Sequence, residues 1–160
     1  MSDLPVSILV VCLGNICRSP TAEAVLRRHA EQRGLTHRLS IDSAGTSSWH
    51  IGSPPDQRSA RAASARGYDL SSLRGRQVTV QDFERFDYIL AMDSQNLADL
   101  QSLKPKGYQG HLALFLDFAS GKVRDVPDPY HGGADGFEIV LDLIEQASQG
   151  LLDHIEASLD

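Results

Sequence analysis

Val6-Ser7-Ile8-Leu9-Val10-Val11, then Cys12-Leu13-Gly14-Asn15-Ile16-Cys17-Arg18-Ser19, then Pro20-Thr21-Ala22-Glu23, is the stretch from which the fold can be read. The first segment is an almost unbroken apolar run rich in β-branched residues, which predicts a strand buried on both faces. The third predicts a helix start, with Ser19 at the cap, Pro20 at the first helical position and a carboxylate, Glu23, in the first turn. A short turn carrying a cysteine and an arginine therefore joins a strand to a helix. Backbone N–H groups of the turn and the positive end of the helix converge there, which describes an anion site with a nucleophile in it.

Outward from this unit, apolar β-type runs alternate with helical patterns, which predicts an α/β fold with a mainly parallel sheet. The first helix spans about Pro20 to Arg33 and stops at Gly34. A second strand is expected from Arg38 to Ser43, followed by a Gly-, Ser- and Pro-rich loop from Ala44 to Pro55 that carries Trp49. Helix is expected again over Asp56 to Arg66. A short helix at Gln81 to Phe86 leads into a third buried strand, Asp87 to Met92, and Ser94 to Leu103 is helical. His111 to Leu116 is the fourth strand candidate. Phe137, Val140, Leu141, Ile144, Ala147, Leu151, Leu152 and Ile155 give Gly136 to Leu159 the spacing of a long amphipathic helix. Between these last two lies a long loop, Asp117 to Asp135, and long loops inside compact domains are more often functional than idle.

The 160 residues suit one domain, residues 1–160, large enough to bury roughly 70% of the surface of the unfolded chain. A net charge of −6 gives no general attraction to nucleic acid or anionic membranes. No basic segment followed by an apolar stretch opens the chain, and no apolar run approaches the ~20 residues of a membrane span, so a cytoplasmic location is expected. Both cysteines lie in one loop and cannot staple distant parts of the fold. The six histidines are scattered without ligand spacing, so no metal site is expected; no other cofactor is expected either.

A cysteine at the carboxyl end of the first strand of an open parallel sheet lies where such folds bind ligands. Helix dipole, loop amides and Arg18 all favour the thiolate, so Cys12 is expected to be nucleophilic near neutral pH. Arg18 offers a planar fork suited to a tetrahedral oxyanion. Ser19 adds a hydroxyl able to steady the thiolate as a leaving group, and Gly14 and Asn15 tolerate the left-handed backbone that aims successive amides inward. A cysteine that merely ends a strand as a small buried hydrophobe would leave all of these neighbours as coincidence.

The string Val11 to Glu23 (VCLGNICRSPTAE) closely resembles the signature of the low-molecular-weight protein tyrosine phosphatases. Asp125-Val126-Pro127-Asp128-Pro129-Tyr130 resembles their acid loop, and Asp42-Ser43-Ala44-Gly45-Thr46-Ser47 is similar to their sequence after the second strand. The resemblance implies a three-layer, flavodoxin-like fold with a four-stranded parallel sheet in order 2-1-3-4, flanked by helices. It also implies metal-independent hydrolysis of phosphotyrosine, in proteins and in small aryl phosphates. Cys12 would attack phosphorus to form a cysteinyl-phosphate, the loop from Leu13 through Gly14, Asn15, Ile16 and Cys17 to Arg18 and Ser19 would bind phosphate, and Asp128 would act first as general acid, then as base. Asp125 is a second candidate acid by spacing alone; the match to Asp-Pro-Tyr selects Asp128. Trp49 and Tyr130 would form opposite walls of the pocket, with His131 beside them and Ser43 supporting the loop. Partners would be phosphotyrosine-containing proteins, with no nucleic acid or membrane. A monomer is expected, with weak self-association left open.

Two departures from the family pattern stand out. His131 replaces a frequent second aromatic residue, and Leu73 occupies the place of a histidine that supports the loop asparagine through serines; a shorter supporting network and a less rigid loop are expected. Rival readings are a protein arginine phosphatase, whose loop characteristically has threonine where Ile16 stands, an arsenate reductase of the same fold, which needs further cysteines where none follows Cys17, and a phosphate-dependent binding module that has lost catalysis, against which Cys12, Arg18 and Asp128 together argue. For Cys17 two roles are open: a reversible disulfide with Cys12, or packing behind the loop. Mass spectrometry of peroxide-treated protein decides between them: a Cys12–Cys17 disulfide establishes the protective role, and sulfinic or sulfonic Cys12 without a disulfide excludes it.

Overall fold

The computed structural model describes residues 4–129 and 134–159. Tyr130 and His131 lie outside them. Within the described residues, β1 (Val6–Cys12) leads to α1 (Arg18–Gln32), β2 (Leu39–Gly45), α2 (Gln57–Ala65) and the short α3 (Asp82–Arg85). Next come β3 (Tyr88–Ala91), α4 (Ser94–Leu103), β4 (His111–Leu114) and α5 (Ala134–Ser158), with single 3-10 turns at Thr36–Arg38 and Phe115–Phe118. The four strands are parallel and lie in the order β2-β1-β3-β4, as expected. Among the described residues no helix is long and apolar enough to cross a membrane.

β1 is interior to the sheet: it pairs with β2 from Val6 opposite Leu39 to Cys12 opposite Gly45, and with β3 from Ile8 opposite Tyr88 to Val11 opposite Ala91. Ile8, Val10 and Cys12 join Val25 and Leu26 of α1 and Ile144, Leu151 and Leu152 of α5 in one core. Leu9 and Val11 face the other side, with Phe83, Ile89 and Leu100. From Ile8 to Val11 the strand is covered by helices on both faces and has no position where water would accept a polar side chain, hence the apolar run; the one polar residue, Ser7, lies before it where the strand is only half-buried. Each fully buried Val, Leu or Ile contributes about 1.5–3 kcal/mol relative to exposure.

Several boundaries differ from expectation for identifiable reasons. α1 begins at Arg18, and the residue before it, Cys17, supplies no side-chain cap. Ser19 is not the cap, because its hydroxyl is engaged with the Cys12 sulfur and the Asn15 amide. Glu23 lies beyond the first turn, which holds no acidic residue. β2 continues past Ser43 to Gly45, where the Gly45 amide donates to the Arg76 carbonyl and the Gly45 carbonyl accepts from Val78, both at 2.8 Å. β4 stops at Leu114, and the chain turns through Phe115–Phe118 beneath α5.

That last contact explains a glycine inside α5. A β-carbon at Gly150 would overlap the Phe118 carbonyl, so the helix lies against the turn at backbone distance. In an exposed helix interior Gly→Ala gains about 1 kcal/mol. Here Gly150→Ala is expected to lose about 1–3 kcal/mol through overpacking, read as a lower urea midpoint. An unchanged or higher midpoint would mean that α5 and the turn have room to separate.

Candidate active site

The strand order reverses direction at β1, since β2 follows on one side of it and β3 on the other. In such sheets the crevice beyond the carboxyl ends of the strands at this switch point receives ligands. Cys12 ends β1 there, 3% exposed, and Asp93 follows β3 two residues after its end and caps α4 through the Asn96 amide.

The loop between Cys12 and Arg18 is shaped by its neighbours. Carbonyls of Cys12, Leu13 and Ile16 accept from the amides of Thr46, Ser47 and Asp56, at 2.9, 3.0 and 2.8 Å. In a trans peptide the next N–H points the opposite way, so the amides of Leu13, Gly14 and Cys17 are turned away from these flanking segments. Asn15 has φ 58°, the left-handed conformation expected for it, but Gly14 does not adopt it; there glycine is needed for space, since a β-carbon would lie 2.9 Å from the His50 ring. A β-carbon at Gly45 would lie 2.7 Å from the Leu13 carbonyl, so glycine lets the end of β2 approach this closely. The Asn15 backbone nitrogen and the Ser19 hydroxyl lie 3.3 and 3.0 Å from the Cys12 sulfur.

Arg18 is 3% exposed and fixed from behind: Nη1 donates to Asp93 Oδ2 at 2.6 Å and to the Val126 carbonyl at 3.0 Å. Burial opposes its charge, but the negative charges at Cys12 and Asp93 outweigh that cost and hold the guanidinium above its ordinary range. Its other nitrogen, Nη2, is 3.8 Å from Asp128 Oδ2. Asp125 is elsewhere. Its Oδ1 accepts from the Ser94 amide and hydroxyl at 3.1 and 2.8 Å, fastening the loop to the start of α4. Of the two candidate acids, Asp128 is therefore the one beside Arg18.

Cys12, Leu13, Gly14, Ile16, Cys17, Arg18, Trp49 and Asp128 line one cavity of about 290 Å³, together with His50. Trp49 is 74% exposed at this cavity. Cys17 is buried, and burial pushes its thiol up to about 12, so at neutral pH it is protonated.

Leu73 packs against the main core, and the network around Asn15 runs from Arg76 to Glu23. Asn15 Oδ1 accepts from the Arg76 amide at 3.0 Å, its Nδ2 donates to Ser19 and Ser43, and the Ser43 hydroxyl reaches Glu23 Oε1 at 2.6 Å. Asp93, His50, Arg76 and Glu23 were not expected at the site. Asp93 had a usable signal: a carboxylate directly between a buried strand and a helix, on the strand that neighbours β1. His50 and Arg76 arrive from loops whose paths sequence spacing does not set.

Fold and cluster together define an open α/β protein with a cysteine and an arginine held in an anion-shaped loop at the sheet's switch point. The family model for low molecular weight phosphotyrosine protein phosphatase matches residues 7–160. A Schizosaccharomyces pombe protein named low molecular weight phosphotyrosine protein phosphatase is 47% identical over 134 residues, 82% of this chain and 85% of its own. Among solved structures, a protein tyrosine phosphatase from Entamoeba histolytica with Hepes in the active site superposes with TM-score 0.91 at 41% identity, covering 96% of this chain and 98% of its own. A Drosophila arginine phosphatase superposes with TM-score 0.86 at 34% identity, covering 92% and 96%. The chain belongs to the low-molecular-weight phosphotyrosine protein phosphatase family.

Trp49 is the chain's single tryptophan, so its fluorescence reports this cavity. Adding an aryl phosphonate is expected to shift its emission to the blue as the ring leaves water, and inorganic phosphate to shift it less. No response to the phosphonate would place the aryl group outside the cavity.

Proposed function

We propose that this protein hydrolyses phosphotyrosine in proteins and small aryl phosphate monoesters through a cysteinyl-phosphate intermediate. The observation that carries the reading is the convergence of Cys12, Arg18 and Asp128 on one cavity, with Asp128 3.8 Å from the guanidinium. The Cys12 thiolate attacks phosphorus, forming the S–P bond as the P–O bond to the leaving group breaks. Asp128 transfers its proton to the departing phenolate oxygen. Then the same carboxylate takes a proton from water, whose oxygen bonds phosphorus while the S–P bond breaks and the thiolate returns. Arg18 and the amides from Leu13 to Ser19 hold the non-bridging oxygens throughout, because phosphoryl transfer is governed by positioning and charge stabilisation. No step calls for a metal.

Ile16, Leu13 and Trp49 give the cavity apolar walls that suit a flat ring entering edge-on. Ser43 supports the loop in this reading. Relatives named for phosphotyrosine support the substrate class, and the Drosophila relative makes phosphoarginine the natural competitor. We assign the protein to the cytoplasm as a monomer acting on phosphoproteins.

The test is hydrolysis of para-nitrophenyl phosphate in the presence of a chelator. The parent is expected to turn over at an undiminished rate, Cys12→Ser to be inactive, and Asp128→Ala to lose about 10²–10⁴ in kcat, as for removal of a general acid. Turnover by Cys12→Ser overturns the mechanism. A kcat/KM for phosphoarginine above that for phosphotyrosine overturns the substrate assignment.

A further inference from the structure

Behind the loop runs a buried chain of hydrogen bonds whose direction can be worked out from its two ends. At one end stands the Arg76 amide, a group that can only donate, 3.0 Å from Asn15 Oδ1. Arg76 is itself held by Asp82, which its Nη1 and Nη2 both reach at 3.1 Å, and by Asp42, 3.1 Å from its Nε. At the other end stands the Glu23 carboxylate, 3% exposed, which can only accept. Its Oε1 accepts from the Ser43 hydroxyl at 2.6 Å, and its Oε2 from Arg27 Nε and Nη2 at 3.0 and 2.7 Å.

These ends leave one consistent assignment between them. Ser43 gives its hydrogen to Glu23, so its oxygen must accept from Asn15 Nδ2, 3.1 Å away. Asn15 gives its second Nδ2 hydrogen to the Ser19 oxygen at 2.8 Å. Ser19 therefore has its own hydrogen left for the Cys12 sulfur at 3.0 Å, with the Ala44 carbonyl at 3.3 Å as the alternative acceptor. With the Asn15 amide reversed, Ser19 would have to donate to Asn15 instead, and the sulfur would lose that bond.

We propose that Glu23 is a positioning residue for the reaction: it orients the Ser43–Asn15–Ser19 chain so that the Ser19 hydroxyl donates to the Cys12 thiolate. This rests on the phosphatase reading, in which Cys12 is nucleophile in the first step and leaving group in the second. Arg27 makes the site selective for a carboxylate. In Glu23→Gln the guanidinium claims the amide oxygen, the NH₂ group then faces Ser43, and a donor stands where the chain needs an acceptor.

The experiment is the pH profile of Cys12 alkylation by iodoacetate, with kcat and KM for para-nitrophenyl phosphate and the thermal midpoint measured alongside. A hydrogen bond to a charged group is worth about one pH unit or more, so the acid limb of the Glu23→Gln profile is expected about one unit higher, some tenfold slower at any pH on that limb. The alkaline plateau is expected unchanged, with kcat reduced and KM within about threefold. Ser43→Ala breaks the same link while leaving Glu23 paired with Arg27, and is expected to give the same displacement; it carries the test if Glu23→Gln does not fold. The double variant is expected to add nothing further, because both changes cut one chain. An acid limb unmoved in a folded single variant, or displacements that add in the double, overturns the proposal. Alkylation needs no substrate, so a parent that fails to turn over overturns the phosphatase reading alone.

Discussion

Burial of β1 on both faces is the constraint on which the rest depends. It requires helices on either side of the sheet, and with β2 on one edge and β3 on the other the order of the strands reverses beside it. The reversal opens the crevice at the strand's carboxyl end, and the last residue of the strand is the cysteine. The nucleophile's position is thus set by core packing: moving Cys12 would move Ile8 and Val10, which share its face of the core.

Charge at the crevice is arranged in two layers. Arg18 is buried and stays charged because Asp93 and the Val126 carbonyl hold Nη1, while Nη2 is turned towards Asp128. A lysine could not divide its donors in this fixed way, since it lacks the planar fork. One side chain therefore fixes its own position against the sheet and also ties in the base of the loop that carries Asp128.

Much of this was legible in the sequence where local chemistry decides it. The almost unbroken apolar run before Cys12 announced a two-face strand, and the left-handed conformation expected for Asn15 is the one found. α4 spans the expected Ser94–Leu103, with Asp93 capping its start and Pro105 just beyond its end. Where tertiary demands compete with local preference the reading failed. Ser19 has the composition of a helix cap, but a thiol and an amide on the same loop claim its hydroxyl. Nor was Glu23 foreseen: four residues along α1 from Ser19, it meets the chain through Ser43 on β2. That meeting depends on the register of α1 against β2, which no spacing along the chain encodes.

Val126 is the fixed point of the long loop after β4. Its amide donates to the Met92 carbonyl at 2.7 Å, its carbonyl accepts from Arg18, and it is fully buried, while residues 120–125 before it are exposed. Asp128 is only two residues past this anchor, so its location is independent of how long the preceding exposed stretch happens to be. The segment from Ser120 to Arg124 is accordingly a place where a foreign peptide, an epitope or a fluorophore-bearing insert can be carried without changing the address of the carboxylate, since Asp125 and Val126 re-establish the path of the chain before it reaches the cavity.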